Sequence, residues 1–284
     1  EEQQMTADAM SQFAQEVLYA LAHDADHNAQ FPEELWQHLV DLGLNYYALP
    51  EALGGVAAEQ NIVSNILIAE SLAKGDFSLT AGLLSTFSVI NAITRWGSTQ
   101  VQSMYLPVFA EDTDVTATFA FQEATPAFNP FQLKTKATEN NGQFQITGEK
   151  TLVILGDTAD VFLVSAEFNG QSDIFVVQSN ESISIKNNPA MGLKAAETAT
   201  LKFNQTPALR LGDADFNYSA FVDLGNLIAQ SHVGDVKCIT LLDVIYGWVM
   251  ITYGDSTANA TVLTLSLHEG FLGLVFREEV GVGV

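Results

Sequence analysis

The sequence predicts an α+β fold with an N-terminal helical domain, a central antiparallel β-barrel domain and a shortened C-terminal helical segment. Three features of its pattern predict this fold. Apolar residues recur every three or four positions as far as residue 110, alternation in β-rich segments begins at Asp114, and the helical spacing returns from Phe221. We therefore expect domains at residues 1–113, 114–212 and 213–284.

The N-terminal apolar pattern predicts two helices between residues 6 and 44. The second begins at Phe31-Pro32-Glu33-Glu34, because proline suits the first turn of a helix and the helix dipole favours acids there. Leu49-Pro50-Glu51 followed by Gly54-Gly55 predicts a loop, since proline and paired glycines interrupt helices. Three further helices are predicted, over residues 59–74, 79–95 and 98–109.

Short alternating segments predict the strands of an antiparallel meander. Asn140-Asn141-Gly142 and Asn169-Gly170 supply the positive-φ residues that tight hairpin turns require, so each predicts a hairpin. A last helix is predicted from Phe221 to Tyr253, with Gly254 as its C-terminal cap. The predicted strand segments are residues 116–121, 131–137, 143–147, 161–166, 174–177 and 198–203.

Composition favours a folded chain that does not bind nucleic acid. The 284 residues are 48% hydrophobic, and 34 acidic side chains against 11 basic ones give a net charge of −23. The basic residues begin only at Lys74 and form no cluster, which excludes a nucleic-acid surface and argues against an anionic membrane surface. The apolar run Leu241–Ile251 contains Asp243 and is shorter than the roughly 20 residues of a spanning helix, so no membrane insertion is expected.

Cysteine and histidine usage gives no sign of a metal site or a disulfide. Cys238 is the single cysteine, and no histidine or cysteine cluster has the spacing of metal ligands. The N-terminal Glu-Glu-Gln-Gln lacks the basic start and apolar stretch of a signal peptide, so a cytoplasmic location is expected.

Short motifs mark this order of helices and strands. In the helical part they are Phe31 to Leu35, Leu49 to Gly55, Ala69 to Ala73, and Arg95 to Ser98 with Tyr105-Leu106-Pro107. In the β part they are Phe119 to Glu123, Gly142 to Lys150, Ala159 to Phe162, and Met191 to Leu193 with Thr198 to Phe203. With these motifs the chain resembles the acyl-CoA dehydrogenase family from about residue 10 to residue 254.

The resemblance implies a function in fatty acid metabolism. Members of the family bind FAD between the middle β-barrel and a C-terminal four-helix bundle, and they oxidise acyl-CoA thioesters to 2,3-enoyl products. A glutamate removes the α-proton, which is too weakly acidic to leave unaided, while the flavin accepts a hydride from the β-carbon. The resemblance therefore implies FAD as cofactor, acyl-CoA as substrate and a homo-oligomer that completes each flavin site.

The family's cofactor positions transfer to residues that are mostly substituted. Gln122, between Phe121 and Glu123, stands where a threonine hydroxyl meets the flavin, and an amide can also donate a hydrogen bond. Phe128 stands where a serine binds phosphate. Leu152 and Ile154 stand where a tryptophan covers the flavin and a threonine reaches it.

The C-terminal positions differ further. Met250 replaces an arginine that reaches the cofactor pyrophosphate, and the arginine on the CoA side falls at about Gly225. The sequence after Gly254 is too short for a bundle of four helices of ordinary length. Glu269, in Leu267-His268-Glu269-Gly270, is the candidate catalytic base, with a surface acid as the alternative.

Three hypotheses about the function therefore remain open. The first is an FAD-dependent acyl-CoA dehydrogenase or a divergent relative. The second is a catalytically silent homologue that acts as a scaffold or assembly subunit, in which the apolar C-terminal helix is covered by a second copy or a partner subunit. The third is a truncated or altered C-terminus that explains the missing chemistry.

Overall fold

The computed structural model describes residues 2–55, 62–111, 115–125, 128–189, 191–222, 248–253, 261–268 and 271–277. An N-terminal helical region is followed by a seven-stranded sheet. The helical order of the first part and the β-rich character of the second confirm the predicted α+β fold class. The bounds of the three domains stay a prediction.

The described part of the N-terminal region consists of helices and the short turns and loops that join them. Its first two helices run on from one another through a π-helical segment, Ala14–Leu18, so residues 2–28 form the first of the two predicted long helices. The Pro-Glu-Glu motif begins the second, since Leu35 N–H donates to the carbonyl of Pro32. The helices are α1 Glu2–Phe13, α2 Tyr19–Asn28, α3 Glu34–Leu42, α4 Leu44–Ala48, α5 Ile62–Ala73, α6 Phe77–Trp96 and α7 Thr99–Glu111.

Helix α6 is the centre of the helical region. Asp76 caps its N-terminus by accepting from Leu79 N–H at 2.8 Å, and thirteen of its residues are buried, as the apolar pattern predicts. The helix is long and apolar enough to cross a membrane, yet 72% of its most apolar window is buried within the protein. Burial of this kind is the signature of a core helix.

The central strands close into a ring in the order β4–β2–β3–β7–β5, because β4 also pairs with β5. Strand β1 extends the ring along β4, and β6 lies along β7. Both predicted hairpins are confirmed, with positive φ at Asn141, Gly142, Asn169 and Gly170. The strands are β1 Ala117–Ala120, β2 Lys136–Asn140, β3 Gln143–Val153, β4 Val161–Phe168, β5 Gln171–Gln178, β6 Ile183–Asn187 and β7 Ala199–Arg210.

The barrel differs from the predicted antiparallel meander in its strand pairing and in the bounds of its strands. Strand β1 pairs with β4 in parallel, because the chain leaves the helical region and enters the sheet beside a strand 44 residues later, not beside its neighbour in sequence. The segment 131–135 is not part of a strand, and β2 begins at Lys136. Strand β6, Ile183–Asn187, carries four exposed residues out of five and so lacks the apolar alternation that marks the other strands.

The C-terminal prediction is only partly met. A helix begins at Tyr218, three residues before the predicted start, with Asn217 accepting from Ala220 N–H. Residues 223–247 lie outside the described residues. The predicted helix is wrong at residues 248–253, which form β8 of an antiparallel sheet with β9 Thr261–His268 and β10 Phe271–Arg277. β-branched residues and the alternation of Leu263, Leu265 and Leu267 with Thr264 and Ser266 favour strands there.

Two apolar cores divide the described residues. The larger one fills the helical region and continues onto the helix-facing side of the barrel through Phe119, Ile154 and Val176. The smaller one fills the barrel interior around Phe162, Phe175 and Phe203. The barrel wall therefore separates two apolar environments, and any charged group within that wall needs a partner.

Candidate functional site

The candidate site lies where β1 ends and meets the second half of β3. Beyond Ala120 the chain continues as Phe121-Gln122-Glu123, and the carbonyl of Gln122 accepts from Thr151 N–H at 2.9 Å. This one backbone bond brings two sets of predicted site residues together, because Leu152 and Ile154 follow Thr151 in the chain. The segment Phe121–Glu123 and the bend Thr151–Ile154 thus lie side by side as one continuous element.

A buried ion pair lies directly beneath this segment. The ammonium of Lys150 donates to Glu123 Oε1 at 2.9 Å, to the carbonyl of Phe121 at 3.0 Å and to Ser165 Oγ at 2.9 Å. The side chain of Lys150 is 0% exposed and that of Glu123 is 4% exposed. All three donor positions of the ammonium are therefore used by the protein itself.

The carboxylate of Glu123 is equally satisfied. Its Oε1 also accepts from Thr135 N–H at 2.9 Å, and its Oε2 accepts from Lys134 N–H at 2.8 Å. Gly148 allows this approach, since its φ of +151° is rarely adopted by other residues and a Cβ there would lie 2.6 Å from Thr135 Cα. Glu123 was predicted among the cofactor-binding residues, and its carboxylate points instead into the barrel wall.

Both members of the pair carry their charge at neutral pH. Burial lowers the pKa of Lys150 to about 8, although the neighbouring Glu123 raises it. Burial raises the pKa of Glu123, but Lys150 and the two backbone N–H donors outweigh it and hold that pKa below its usual value. The pair is an ion pair in the folded protein, and neither group is free to exchange protons with a ligand.

Gln122 is the polar residue that this arrangement leaves unused. Its side-chain oxygen, Oε1, is buried and has no hydrogen-bond partner in the structure. A buried acceptor without a partner costs about 1–3 kcal/mol, so such an atom calls for a donor from a ligand or from water. Of the predicted cofactor-binding residues, Gln122 alone presents an unused polar group of this kind within the described residues.

The end of β3 is bent rather than regular. The register of β3 against β7 shifts between Lys150 and Val153, and Leu152 has φ of +54°. A leucine in the left-handed region is uncommon, because its side chain makes that conformation costly. The bend leaves the Leu152 side chain half-buried and turns Ile154 into the core that joins the barrel to the helices.

The segment around Phe128 is tied to the helix that begins at Tyr218. Phe128 is half-buried, and the next residue, Asn129, accepts from Phe131 N–H at 2.9 Å. Tyr218 Oη donates to the carbonyl of Pro130 at 2.8 Å, and its ring packs edge-on against Phe131. Phe128 brings no hydrogen-bonding side chain to this segment, so it cannot replace a serine that binds phosphate.

An aromatic cluster covers the start of the candidate site. The ring of Phe221 stacks on Phe121 with an interplanar angle of 3° and a centroid distance of 6.0 Å. Phe119, Phe216 and Trp96 also pack against Phe221. The helix at 218–222 is thereby fixed to both the helical region and the barrel.

The opposite side of the bend contacts the helical region through a carboxylate. Glu197 Oε2 accepts from Phe31 N–H at 3.1 Å, and Lys194 forms an ion pair with Asp26 at 3.0 Å. Burial raises the pKa of Glu197, the charge of Asp157 acts in the same direction, and the bond from Phe31 opposes both. The short segment Leu193–Glu197 thus joins the two regions beside Leu155, whose N–H donates to the carbonyl of Ala196.

The structure unites some of the predicted site residues and leaves others untested. Phe121, Gln122, Glu123, Leu152 and Ile154 lie on the element described above, with Phe128 following in the same loop. Glu269, Gly225 and Cys238 lie outside the described residues. Among the described residues, no cluster of three or more histidine, cysteine, aspartate or glutamate side chains could hold a metal ion.

Sequence reasoning missed Lys150 and Ser165. The signal was present, because Lys150 lies four positions after the buried Ile146 on β3. Residues two or four positions apart face the same side of a regular strand. Ser165 likewise lies within the buried run of β4, where a hydroxyl needs a partner.

Comparison with known proteins identifies relatives of the described regions. Residues 1–113 match the family described as acyl-CoA dehydrogenase, N-terminal domain. The rat mitochondrial short/branched chain specific acyl-CoA dehydrogenase is 28% identical over 207 residues, which cover 70% of this chain and 47% of that protein. A probable acyl-CoA dehydrogenase of Bacillus subtilis (strain 168) is 26% identical over 258 residues, covering 89% of this chain and 40% of that protein.

A solved structure shows the same fold. Butyryl-CoA dehydrogenase from Megasphaera elsdenii superposes with a TM-score of 0.69 at 22% identity, covering 79% of this chain and 62% of that one. At this identity the likeness is one of fold. The chain spans about half the length of the curated relatives that it matches, 47% and 49% for the rat and Dictyostelium discoideum proteins.

Proposed function

We propose that the chain functions as a member of the acyl-CoA dehydrogenase family, that it binds FAD at the segment Phe121–Glu123 and that it acts on acyl-CoA thioesters. The observation that carries the proposal is the buried, unpartnered Oε1 of Gln122. It lies at the position that corresponds to the flavin-facing hydroxyl of the family. A donor on the edge of the flavin ring would satisfy it, and the Nε2 group of the same amide can donate in return.

The residues fit the ring end of the cofactor better than its phosphate end. Gln122 offers both a donor and an acceptor, and the half-buried side chain of Leu152 presents an apolar surface against which a flat ring can pack. Phe128 offers no hydrogen bond to a phosphate. When bound, FAD would supply the acceptor for the hydride that leaves the β-carbon of the substrate.

The remaining parts of the reaction are assigned to residues of this chain. Glu269 is the proposed base that removes the α-proton, because an α-proton beside a thioester needs a carboxylate at the substrate. The Phe221 ring stacks on the Phe121 ring and covers that residue with an apolar side chain. The protein is proposed to assemble as a homo-oligomer, as the family resemblance implies.

Flavin retention is the first test. We expect purified protein that has been incubated with excess FAD and passed through gel filtration to keep a flavin absorption band. Gln122→Leu removes the amide, and loss of one buried hydrogen bond of about 0.5–1.5 kcal/mol predicts FAD binding about 2- to 13-fold weaker. Gln122→Thr restores a hydroxyl and should bind FAD at least as well as Gln122→Leu. The control Gln132→Leu alters an exposed side chain and should bind FAD like the wild type.

Substrate is tested next with the flavin in place. Bleaching of the flavin band by an acyl-CoA supports dehydrogenation, and Glu269→Gln should abolish bleaching without releasing the flavin. Retained flavin that no acyl-CoA bleaches would contradict the dehydrogenase activity and leave FAD binding standing.

The second candidate function is a catalytically silent scaffold or assembly subunit. The observation in its favour is the loss of polar side chains at Phe128, Leu152 and Ile154, which removes contacts that the family makes to its cofactor. If no flavin is retained after reconstitution, this second function is favoured. The size of the protein in solution, measured by light scattering, then tests whether it assembles without a cofactor.

A further inference from the structure

The Lys150–Glu123 pair has a geometry that a purely stabilising ion pair does not require. Lys150 bonds to the carbonyl of Phe121 as well as to the Glu123 side chain, at 3.0 and 2.9 Å. These two residues lie immediately before and immediately after Gln122. One ammonium therefore holds the chain on both sides of the residue whose side-chain oxygen is buried and unpartnered.

A second group acts on the same carbonyl. Ser165 Oγ lies 2.9 Å from Lys150 Nζ and donates to the carbonyl of Phe121 at 3.3 Å. The Glu123 carboxylate in turn accepts from the N–H groups of Lys134 and Thr135, which lie on the segment that leads into β2. The network thus connects β3, β4 and the entry to β2 with the segment that carries Gln122.

We infer that Lys150 and Glu123 form a positioning pair, which fixes the backbone on both sides of Gln122 and so presents its amide to a planar ligand with hydrogen-bonding groups at its edge. This inference extends the proposed function, because the ligand in that proposal is the flavin ring. The pair itself does not touch the ligand. Its contribution is to remove the conformational freedom that Gln122 would otherwise lose on binding.

Burial energetics favour this interpretation over plain stabilisation. Removing two charges from water costs several kcal/mol per ion, and replacing a buried pair with apolar residues of similar size is often neutral or stabilising. An ion pair that served stability alone would therefore add little to the free energy of unfolding here, compared with apolar residues. The barrel offers a comparison in Arg210 and Asp173, joined at 2.6 Å, which lie on β7 and β5, two strands that do not pair with β1.

The test uses the full chain and two matched double variants. Glu123→Gln/Lys150→Met removes the positioning pair, and Asp173→Asn/Arg210→Met removes the comparison pair. Two amides report on them in the protein without FAD by hydrogen exchange. Thr151 N–H donates to the carbonyl of Gln122, and Leu211 N–H donates to the carbonyl of Ile174, next to Asp173. Neither amide belongs to a residue that is changed.

The two variants should produce opposite patterns. We expect exchange at Thr151 to rise at least tenfold in Glu123→Gln/Lys150→Met with Leu211 within twofold of the wild type. Asp173→Asn/Arg210→Met should change Leu211 and leave Thr151 within twofold. Equal changes at both amides in both variants, or unchanged exchange at Thr151 when the positioning pair is removed, would overturn the inference.

A milder variant covers the case in which the double variant does not fold. Ser165→Ala removes one acceptor of Lys150 and one donor to Phe121 without removing a charge, and it should raise exchange at Thr151 about threefold. No rise at Thr151 in this variant, with the double variant unfolded, would count against the inference.

FAD binding separates this inference from the function on which it rests. With both correct, the dissociation constant for FAD rises at least fivefold in Glu123→Gln/Lys150→Met, the flavin absorption maximum shifts, and neither changes in the comparison variant. If the wild type binds no FAD but exchange at Thr151 responds as expected, the proposed function fails and the positioning pair stands. If FAD binds equally well to all three proteins and Thr151 is unaffected, the positioning pair fails and the proposed function stands.

Discussion

The barrel carries two lysine–glutamate ion pairs that have the same chemistry and opposite surroundings. Lys150 and Glu123 are 0% and 4% exposed and also bond to the backbone, whereas Lys136 and Glu167 are 56% and 21% exposed. Water solvates the outer pair whether or not it forms, but nothing except protein solvates the inner one. Burial, and not the identity of the pair, therefore decides how much of the barrel depends on it.

Removing one member of the inner pair should have the largest effect. Lys150→Met leaves the Glu123 carboxylate buried without its counter-charge, and we expect a loss of about 3–5 kcal/mol in the free energy of unfolding. Urea unfolding followed by circular dichroism measures it. The control Lys186→Met alters an exposed lysine on β6 and should change stability by less than about 0.5 kcal/mol. A loss of under about 1 kcal/mol for Lys150→Met would remove the contrast between the two pairs.

The pair of Arg210 and Asp173 is intermediate in exposure between the inner and the outer lysine–glutamate pair. Asp173 is buried, with a side chain 6% exposed, while that of Arg210 is 27% exposed. Arg210→Met should cost about 1–3 kcal/mol at pH 7, because the carboxylate keeps the bond from Ile174 N–H but loses its charged partner. The double variant Asp173→Asn/Arg210→Met, which leaves no buried charge, should recover most of the loss.

The pH dependence of this loss follows from the pKa of Asp173. Burial raises that pKa, and the bonds from Ile174 and Arg210 oppose the rise, so Arg210→Met raises it further. A neutral carboxyl needs no counter-charge. The deficit of the variant is therefore full above the pKa of Asp173 and shrinks as the pH falls through it. Unfolding curves at pH 4 and pH 7 measure the difference, and a deficit that grows on acidification would contradict the assignment.

The elements that the sequence predicted well are those with a local cause. The hairpins follow from the positive-φ residues Asn141-Gly142 and Asn169-Gly170, and α6 follows from its apolar run after the Asp76 cap. No local sequence pattern predicts the parallel pairing of β1 with β4, because this pairing depends on where the chain enters the closed ring of strands. The strand at residues 248–253 was predicted as a helix, since a short apolar run satisfies both periodicities.

The resemblance named residues that the structure brings close together, but it did not indicate the contacts that hold them. Gln122, Leu152 and Ile154 were placed by resemblance, and one backbone bond between Gln122 and Thr151 brings them together. The roles of Glu123 and Lys150 depend on which face of the wall each side chain occupies. That information comes from the bulge in β3 and the approach of Thr135 to Gly148, neither of which has a signature in the sequence.

Glu197 accepts a hydrogen bond from Phe31 N–H and forms no ion pair with any residue that the structure describes. Its pKa is raised above the usual value of 4.5, so it favours folding at low pH and this contribution is lost as the pH rises through the folded-state pKa. Glu197→Gln keeps an oxygen for Phe31 N–H and removes the charge near Asp157. We expect it to be more stable than the wild type at pH 7, by less than about 1 kcal/mol, and equal to it near pH 4.

The measurement for Glu197 is urea unfolding at both pH values. Glu181→Gln, which alters an exposed acid in the same barrel, is the control and should leave stability unchanged at both. A Glu197→Gln protein that is less stable than the wild type at pH 7 would mean that the charge on the bond to Phe31 outweighs the cost of burying it.

Removing one member of the outer lysine–glutamate pair should have the smallest effect on stability. Lys136→Met removes the partner of Glu167, but that carboxylate still accepts from Gly170 N–H and remains open to water. Urea unfolding should show a loss of less than about 1 kcal/mol in the free energy of unfolding. The loss should be smaller in 0.5 M salt, because salt screens exposed pairs. The loss from Lys150→Met should change little with salt, since its charges are buried. If Lys136→Met cost as much as Lys150→Met, with the same indifference to salt, burial would not be what separates the two pairs.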